Sequence, residues 1–466
     1  VNSGTVAGRS TVKITAENIQ NLNGRISGGN VDLNARTDLN NIGGIIDADS
    51  KLKIEAGRDI NVRTTTSSGA LAMDIQPGAA SLRGATIVDR VAGLYVSDPK
   101  GTLVASAGRD VNLIGALISN SGKEGTTEIG AGRDINLGTV TTSRQEATIR
   151  SAGNYRAEAS TQEFGTRIEA TGDISLTAKR DVNVRAGAIN STDGELGIAA
   201  KRDINIDAGQ STSALNEGLR ISRSGEKRTE QGSFNSTSVI GSSLGGKTVI
   251  LDAGKDIKIR GSNVVSDKGT ELWAGNDVTI EAATQTRDSQ YVRQQSRSGM
   301  FDGGSGWTWG RQDSRSTRNT DETTAVGSTV GAISGNVIIT AGNQYRQVGS
   351  DVIAPGGDID IQARNVQIVE ARETSRSEST QSFSQSGITL GFKAPLIDTL
   401  RNLEDTSQAM KDTKDDRMKA LGAASMALSG YSTYQGISND VAGFASGQGA
   451  QSLTGGATLM LGRASS

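Results

Sequence analysis

Five copies of one turn motif set an aspartate directly behind an arginine: Arg58-Asp59, Arg109-Asp110, Arg133-Asp134, Arg180-Asp181 and Arg202-Asp203. A polysaccharide hydrolase or lyase would be built from such groups, and hydrolysis would need two carboxyls gathered about 5–10 Å apart. Here the aspartates recur singly at a repeated position, which is turn chemistry. Their expected form is a solvated ion-pair ladder along one edge, worth about 0–1 kcal/mol per pair. The 466 residues include no histidine and no cysteine, so the commonest general base, thiolate catalysis, thiolate metal sites and disulfides are all missing. The tandem nonapeptide of calcium-binding β-rolls is absent too, and each Gly-Arg-Asp turn puts a cation where calcium would sit. No catalytic residue, cofactor or metal ligand is therefore assigned. The candidate interaction surface is Trp307 and Trp309, two of the three tryptophans. An exposed pair binds sugars, lipid surfaces or protein partners; the alternative is simple packing on a flank.

The elements that carry these groups repeat. Ala56-Gly57-Arg58-Asp59-Ile60-Asn61-Val62 returns closely from Ala107, Ala131, Ala178 and Ala200, and more loosely from Ala253, Ala274 and Gly356. Each copy reads as a tight turn followed by a short strand alternating apolar and polar residues at a period of two. The glycine is expected to supply a positive φ. One such unit has a single apolar face and cannot bury it alone. Asn18, Asp38 and Asp59 are 20 and 21 residues apart, Asp110 and Asp134 are 24 apart, and Asn154 follows Asp134 by 20. A period near 20–24 residues holds two or three short strands, one rung of a parallel β-helix whose strands stack on their equivalents about 4.8 Å away. About fifteen rungs are expected. The core would be stacked Ile, Val and Leu, with Asn61, Asn112 and Asn136 forming amide ladders.

The expected β-helix covers residues 1–370, with polar insertions at about 63–84, 210–246 and 284–334. These breaks are rich in Ser, Thr, Gln and Arg, as in Arg311-Gln312-Asp313-Ser314-Arg315-Ser316. Polar alternation around a Gly-rich midpoint suggests hairpins that leave the helix and return; a disordered loop is the alternative. Residues 371–466 form a second region: a polar hairpin strand, a mainly helical insertion at about 395–428 opened by Pro395, a small-residue segment, and a return strand near Ala457–Leu461.

A net charge of −2 gives no field for nucleic acid or acidic membranes. No segment approaches 18 consecutive apolar residues, the length a membrane-spanning helix needs. The start at Val1-Asn2-Ser3-Gly4 resembles neither an initiator nor a signal peptide, and suggests a piece of a longer protein.

The AGRDIN/AKRDVN strings, joined to Ser/Gln-rich breaks and to Ser386-Gly387-Ile388-Thr389-Leu390-Gly391-Phe392-Lys393-Ala394-Pro395, resemble the haemagglutinin-repeat region of filamentous haemagglutinins and contact-dependent growth-inhibition effectors. That resemblance implies an all-β, right-handed parallel β-helix. It also implies a large, non-enzymatic exoprotein segment at the surface of a Gram-negative bacterium, exported through an outer-membrane two-partner secretion transporter. Its role would be toxin delivery to target bacteria, with carriage across the target outer membrane into the periplasm. The partners would be a target-cell envelope or receptor, and an immunity protein only for a toxin domain absent here. A host-cell adhesin shaft is the second reading and a β-helical polysaccharide-degrading enzyme a remote third.

Overall fold

The computed structural model describes residues 1–76, 79–302, 306–391 and 464–465. The helical insertion expected at 395–428 and the return strand near 457–461 lie outside the described residues. Every element among the described residues is a strand. The chain forms two compact units. One takes in Val1–Arg220, Thr229–Val292 and Thr317–Thr380; the other takes in Ile221–Arg228, Arg293–Ser316 and the residues from Gln381 on.

The first unit is a parallel β-helix. A rung is three strands, as in Arg167–Ala170, Asp173–Ala178 and Val182–Arg185. Each pairs in parallel with its counterpart one rung on, so that Ile168 meets Ile189, Ile174 meets Leu196 and Val182 meets Ile204. Some rungs join their first two strands through a bulge: Arg25–Ala35 shifts register between Gly28 and Asn30. The alternating pattern buries every second residue, and the ladder Leu39, Ile60, Val111, Ile135, Val182, Ile204, Ile257 and Val278 is sealed from water. Tyr345 continues that ladder as the largest fully buried side chain.

Counting third strands from Ile19–Leu22 through Leu39–Ile42, Ile60–Arg63, Val111–Ile114, the start of Ile135–Ser151, Val182–Arg185, Ile204–Asp207, Ile257–Arg260, Asp277–Glu281, Gln344–Val348 and Asn365–Val369 gives eleven rungs among the described residues. At about 4.8 Å each they rise about 50 Å. The expected fifteen were too many because part of the chain leaves the helix. Asn154, expected to begin a rung, instead opens a strand that pairs antiparallel with Ile135–Ser151.

Among the described residues the chain leaves the helix at one corner only, after the third strand, and on alternate rungs from rung 3 on. Rungs 2, 4, 6, 8 and 10 close that corner with a single left-handed residue: Gly43, Gly115, Ala186, Gly261 and Gly349. Rung 1 does the same with Asn23. These residues, and not the motif glycines, hold the positive φ. The motif glycines are required by space instead: a Cβ on Gly132 would lie 2.0 Å from the carbonyl oxygen of Gly108 one rung below.

Rungs 3, 5, 7 and 9 open the corner into hairpins. The first is Thr65–Gln76 with Ala79–Arg90, and the second is the outer part of Ile135–Ser151 with Asn154–Gly165. The third joins Gly209–Arg223 to Glu226–Ile240, and the fourth joins Ala283–Asp302 to Gly306–Val326. After rung 11 the strand Thr374–Gly391 departs. Thr64, Thr166, Ser242 and Ser328 are buried at these corners. Their hydroxyls satisfy the backbone groups that the departing chain leaves: Thr166 Oγ1 donates to the Leu113 carbonyl at 2.6 Å, and Ser242 Oγ to that of Asp207 at 2.7 Å.

The hairpins pair with one another. Ser143 lies opposite Thr86, Thr161 opposite Thr212, and the third hairpin pairs with the fourth and the fourth with Thr374–Gly391. The result in the first unit is a lateral sheet beside the helix, antiparallel from Thr65–Gln76 through Gly209–Arg223. Two strands of hairpin and two rungs of helix have the same width, about 10 Å. Alternate rungs are therefore the only spacing at which every hairpin meets the next without gap or collision.

Candidate interaction surface

The turn aspartates build the first candidate surface. Each arginine reaches past its own aspartate to that of the preceding rung. Arg58 Nε donates to Asp38 at 2.8 Å, Arg109 to Asp59 at 2.8 Å, and Arg133, Arg180 and Arg202 to Asp110, Asp134 and Asp181 at 2.7 Å. A second contact from Nη2 closes each fork. The same carboxylates accept a backbone N–H from the rung above, as Asp134 does from Asp181 at 3.2 Å. Asp59, Asp110, Asp134 and Asp181 are buried. The ladder is thus not the solvated one expected, because the arginine stems and the next turn cover the carboxylates. Among the described residues no group of three or more carboxylates gathers to hold a metal.

Burial alone would raise the carboxyl pKa of Asp59, but Arg109, the Asp110 amide and Arg58 outweigh it and hold it below the ordinary value. Asp256 is likewise depressed: burial is opposed by Lys255, Asn276 and the Asp277 amide. A depressed folded pKa gives stability that is complete above the unfolded value, about 3.9, and lost as pH falls through the folded one. The melting temperature should hold steady from neutrality to about pH 5 and fall below about pH 4. In Asp59→Asn the acid-dependent part of that fall should shrink; an unchanged profile would refute the assignment.

The ladder breaks once. After Asp203 the next rung offers Lys255, whose Nζ sits 2.8 Å from its own Asp256 and 3.9 Å from Asp203. Asp203 Oδ1 is left buried without a hydrogen bond. A lysine is a point charge and cannot make the fork. Lys255→Arg should restore it and raise the thermal midpoint by about 1 °C in calorimetry; no rise would mean that the turn cannot admit the fork. Beyond the break, amides replace cations: Asn276 donates to Asp256 at 2.7 Å and Asn343 to Asp277 at 2.8 Å.

On the third face an outward amide ladder runs through Asn40, Asn61, Asn112, Asn136, Asn183 and Asn205, each Nδ2 reaching the preceding Oδ1 at 2.8–2.9 Å. A second, inward ladder joins Asn2, Asn21 and Asn41 at 2.8 Å. Sequence reasoning missed the latter, although Asn21 and Asn41 stand where later rungs carry Val62 and Leu113.

The lateral sheet is the larger candidate surface. Neither Ala79–Arg90 nor Asn154–Gly165 contains a buried residue, so both faces of the sheet meet water. Charges line one face: Arg83 lies 2.9 Å from Glu146 across the strands, and Arg144 3.1 Å from the same carboxylate along its own strand. Both hold the Glu146 pKa down, with Arg144 the larger cause. Beside them Leu71, Ile87 and Phe164 line an open hollow of 1010 Å³. A one-layer sheet gives that hollow a floor and no roof, which suits an extended or flat partner better than an enclosed small molecule.

In the second unit, Gln295 donates to Glu226 at 2.7 Å and the Ser298 amide to the Gly225 carbonyl at 2.7 Å. The Asp313 carboxyl is held below its ordinary range by the Ser296 hydroxyl and then by Arg311. Trp307 and Trp309 both fall at the start of Gly306–Val326, and Trp309 is 72% exposed.

This geometry defines a class: a solenoid whose structural period is two rungs plus one pair of lateral strands. Comparison with known families finds the same period. The hemagglutinin repeat matches three times, at residues 147–221, 221–306 and 309–399, more than half the chain in total. The first match runs from the outer part of one hairpin to the outer part of the next, and so does the second, each enclosing two rungs. The chain belongs to the hemagglutinin-repeat family.

Within it, this is a CdiA-like haemagglutinin-repeat region. The chain is 30% identical over 266 residues to the tRNA nuclease CdiA of Escherichia coli (strain STEC_O31), covering 56% of this chain and 8% of that protein. It is 30% identical over 294 residues to a tRNA nuclease CdiA of Burkholderia pseudomallei, covering 62% and 23%. It is 31% identical over 227 residues to the toxin CdiA of Yersinia pestis, covering 48% and 6%. The chain thus spans under a quarter of the length of each. No solved structure matches.

Proposed function

We propose that the chain is a non-enzymatic shaft-and-display segment of a large secreted exoprotein of a Gram-negative bacterium, acting in contact-dependent toxin delivery. The similarity to CdiA proteins, together with the hemagglutinin repeats that cover the hairpin-bearing rungs, carries this reading. The β-helix sets reach and the lateral sheet supplies surface. Export of the parent would use an outer-membrane two-partner secretion transporter, and the surface would meet the target-cell envelope or a receptor in it. Any immunity protein would answer a toxin domain outside this chain.

The lateral strands support a role in carriage across the target outer membrane. They hold 12 residues each in the first hairpin, 15 each in the third, and 20 and 21 in the fourth. A strand needs about 9–11 residues to cross a bilayer. In the form described they meet water on both faces and carry many polar residues, so carriage would require them to re-pair in the envelope. The family's name favours a second reading, a host-cell adhesin shaft.

The test is binding of the purified chain to Gram-negative outer-membrane vesicles, intact bacteria and cultured host cells. A variant with residues 293–316 replaced by a short Gly/Ser turn and the Trp307→Ala/Trp309→Ala pair run beside it. Binding to vesicles and bacteria that the variants lose supports delivery and places the tryptophans in the contact. Binding confined to host cells supports the adhesin. Binding to none of the three overturns the display role and leaves a passive shaft.

A further inference from the structure

We propose that the strand Thr65–Gln76, the free edge of the lateral sheet, docks a second copy of this chain, the two edge strands pairing antiparallel about Leu71. The strand is registered along one side only, with Ala79–Arg90, where Leu71 lies opposite Arg83 and Met73 opposite Ser81. Among the described residues no strand is registered along its other side, and the face at Gly69 is unobstructed, since a Cβ added there would meet nothing within 4 Å.

Between Thr66 and Met73 that edge lacks the devices that normally blunt one, its two register shifts and its one charge, Asp74, falling at the ends of the strand. Proteins protect exposed edges with charge, proline, bulges or cover. From Thr65 to Met73 the strand has no charged residue and no proline, and Leu71 and Met73 are 71% and 66% exposed. Rungs 1 and 2 beside it close their corners at Asn23 and Gly43 and send out no hairpin. The vacant strip is therefore two strands wide, about 10 Å, the width of one hairpin.

The occupant follows from how the sheet is built. Its joints between hairpins are antiparallel pairings of strands that no turn connects, as between Ala79–Arg90 and Ile135–Ser151, or Asn154–Gly165 and Gly209–Arg223. Each joint uses the first strand of a hairpin, and Thr65–Gln76 is such a strand without its neighbour. A hairpin from rung 1 cannot fill the strip, because the Asn23 amide is bonded to the Ile42 carbonyl and the corner is shut. A second copy can. Centred on Leu71, two edge strands put Leu71 against its equivalent, Ala70 against the partner's Ala72 and Gly69 against the partner's Met73. No like charges meet, and Leu71 packs beside its equivalent on one face. Such a two-fold pairing is self-complementary and closes after two copies.

Sedimentation of the whole chain over a range of concentrations tests this. A monomer–dimer equilibrium is expected. The Ala70→Lys/Ala72→Lys variant places lysines opposite lysines in the proposed register and should be monomeric. Both positions are exposed, so circular dichroism should match the parent. The chain has no cysteine, so Leu71→Cys gives a second readout that does not depend on the lysine variant folding. Directly opposed residues lie within disulfide reach, and mild oxidation should link Leu71→Cys into a dimer while the exposed control Ile87→Cys stays unlinked. A parent that is monomeric throughout, a dimer that survives a folded lysine variant, or equal linking of the two cysteine variants would each overturn the proposal. The second outcome would assign association to a surface other than this edge.

Discussion

Excision of residues 204–277 should leave a folded, protease-resistant protein, whereas excision of 257–277 alone should not. The larger deletion joins Asp203 to Val278 and removes two rungs together with the third hairpin. Val182 then stacks on Val278 in place of Ile204, a like-for-like apolar contact at the same ladder position. The second hairpin meets the fourth across one ordinary joint. The smaller deletion joins Asp256 to Val278 and removes rung length without a hairpin. The third and fourth hairpins then leave from adjacent rungs about 4.8 Å apart, and four strands compete for a width that holds three. The helix can still stack, but one lateral strand must lose its partner.

Limited trypsin digestion followed by mass spectrometry reads the difference, since lateral strands rich in arginine are cut as soon as they unpair. The parent and the larger deletion should give the same slow pattern, and the smaller should be nicked within the third or fourth hairpin at least tenfold faster. Equal protection of both deletions would show that hairpins and rungs are independent. That result would remove the physical reason for the alternation of open and closed corners.

The rungs were legible because their strands are amphipathic: Ile60-Asn61-Val62 declares which residues face inward. The helix corners were legible only in part. The motif glycine looked like a positive-φ residue, while the left-handed positions fall after the third strand, at residues as unlike as Gly115 and Ala186. Space against the rung below, which a linear sequence does not display, explains the motif glycine. The arginine ladder was legible as composition but not as connection, since pairing with the preceding rung needs the stack.

The lateral sheet was the hardest to read. A strand with water on both faces has no inward side, so its pattern fixes neither partner nor register. The second hairpin was hidden altogether by Ala152-Gly153-Asn154, which mimics the start of a rung. A usable signal was nonetheless present. The interval between turn aspartates alternates between short and long: 21 from Asp38 to Asp59, 51 to Asp110, 24 to Asp134, 47 to Asp181, 22 to Asp203, 53 to Asp256 and 21 to Asp277. Read as a series, these intervals describe a helix that releases a hairpin on every second turn.

Ile135→Ala should cost about 2–5 kcal/mol, and the form of that loss matters as much as its size. Ile135 is fully buried and stacks between Val111 and Val182 in the third-face ladder. The rungs on either side are held by backbone ladders and by the Arg133–Asp110 and Arg180–Asp134 forks, so they cannot close on the cavity. In a solenoid each repeat contacts only its neighbours, and stability is close to a sum of local terms. Hydrogen exchange should therefore quicken in rungs 4 to 6 and at the base of the second hairpin, while Ile257–Arg260 and Asp277–Glu281 keep the parent's protection. The lateral sheet adds a second line of connection, hairpin to hairpin, that an isolated β-helix lacks. If protection fell uniformly along all eleven rungs, that second line would be dominant, with the chain unfolding as one cooperative body and not as a stack of repeats.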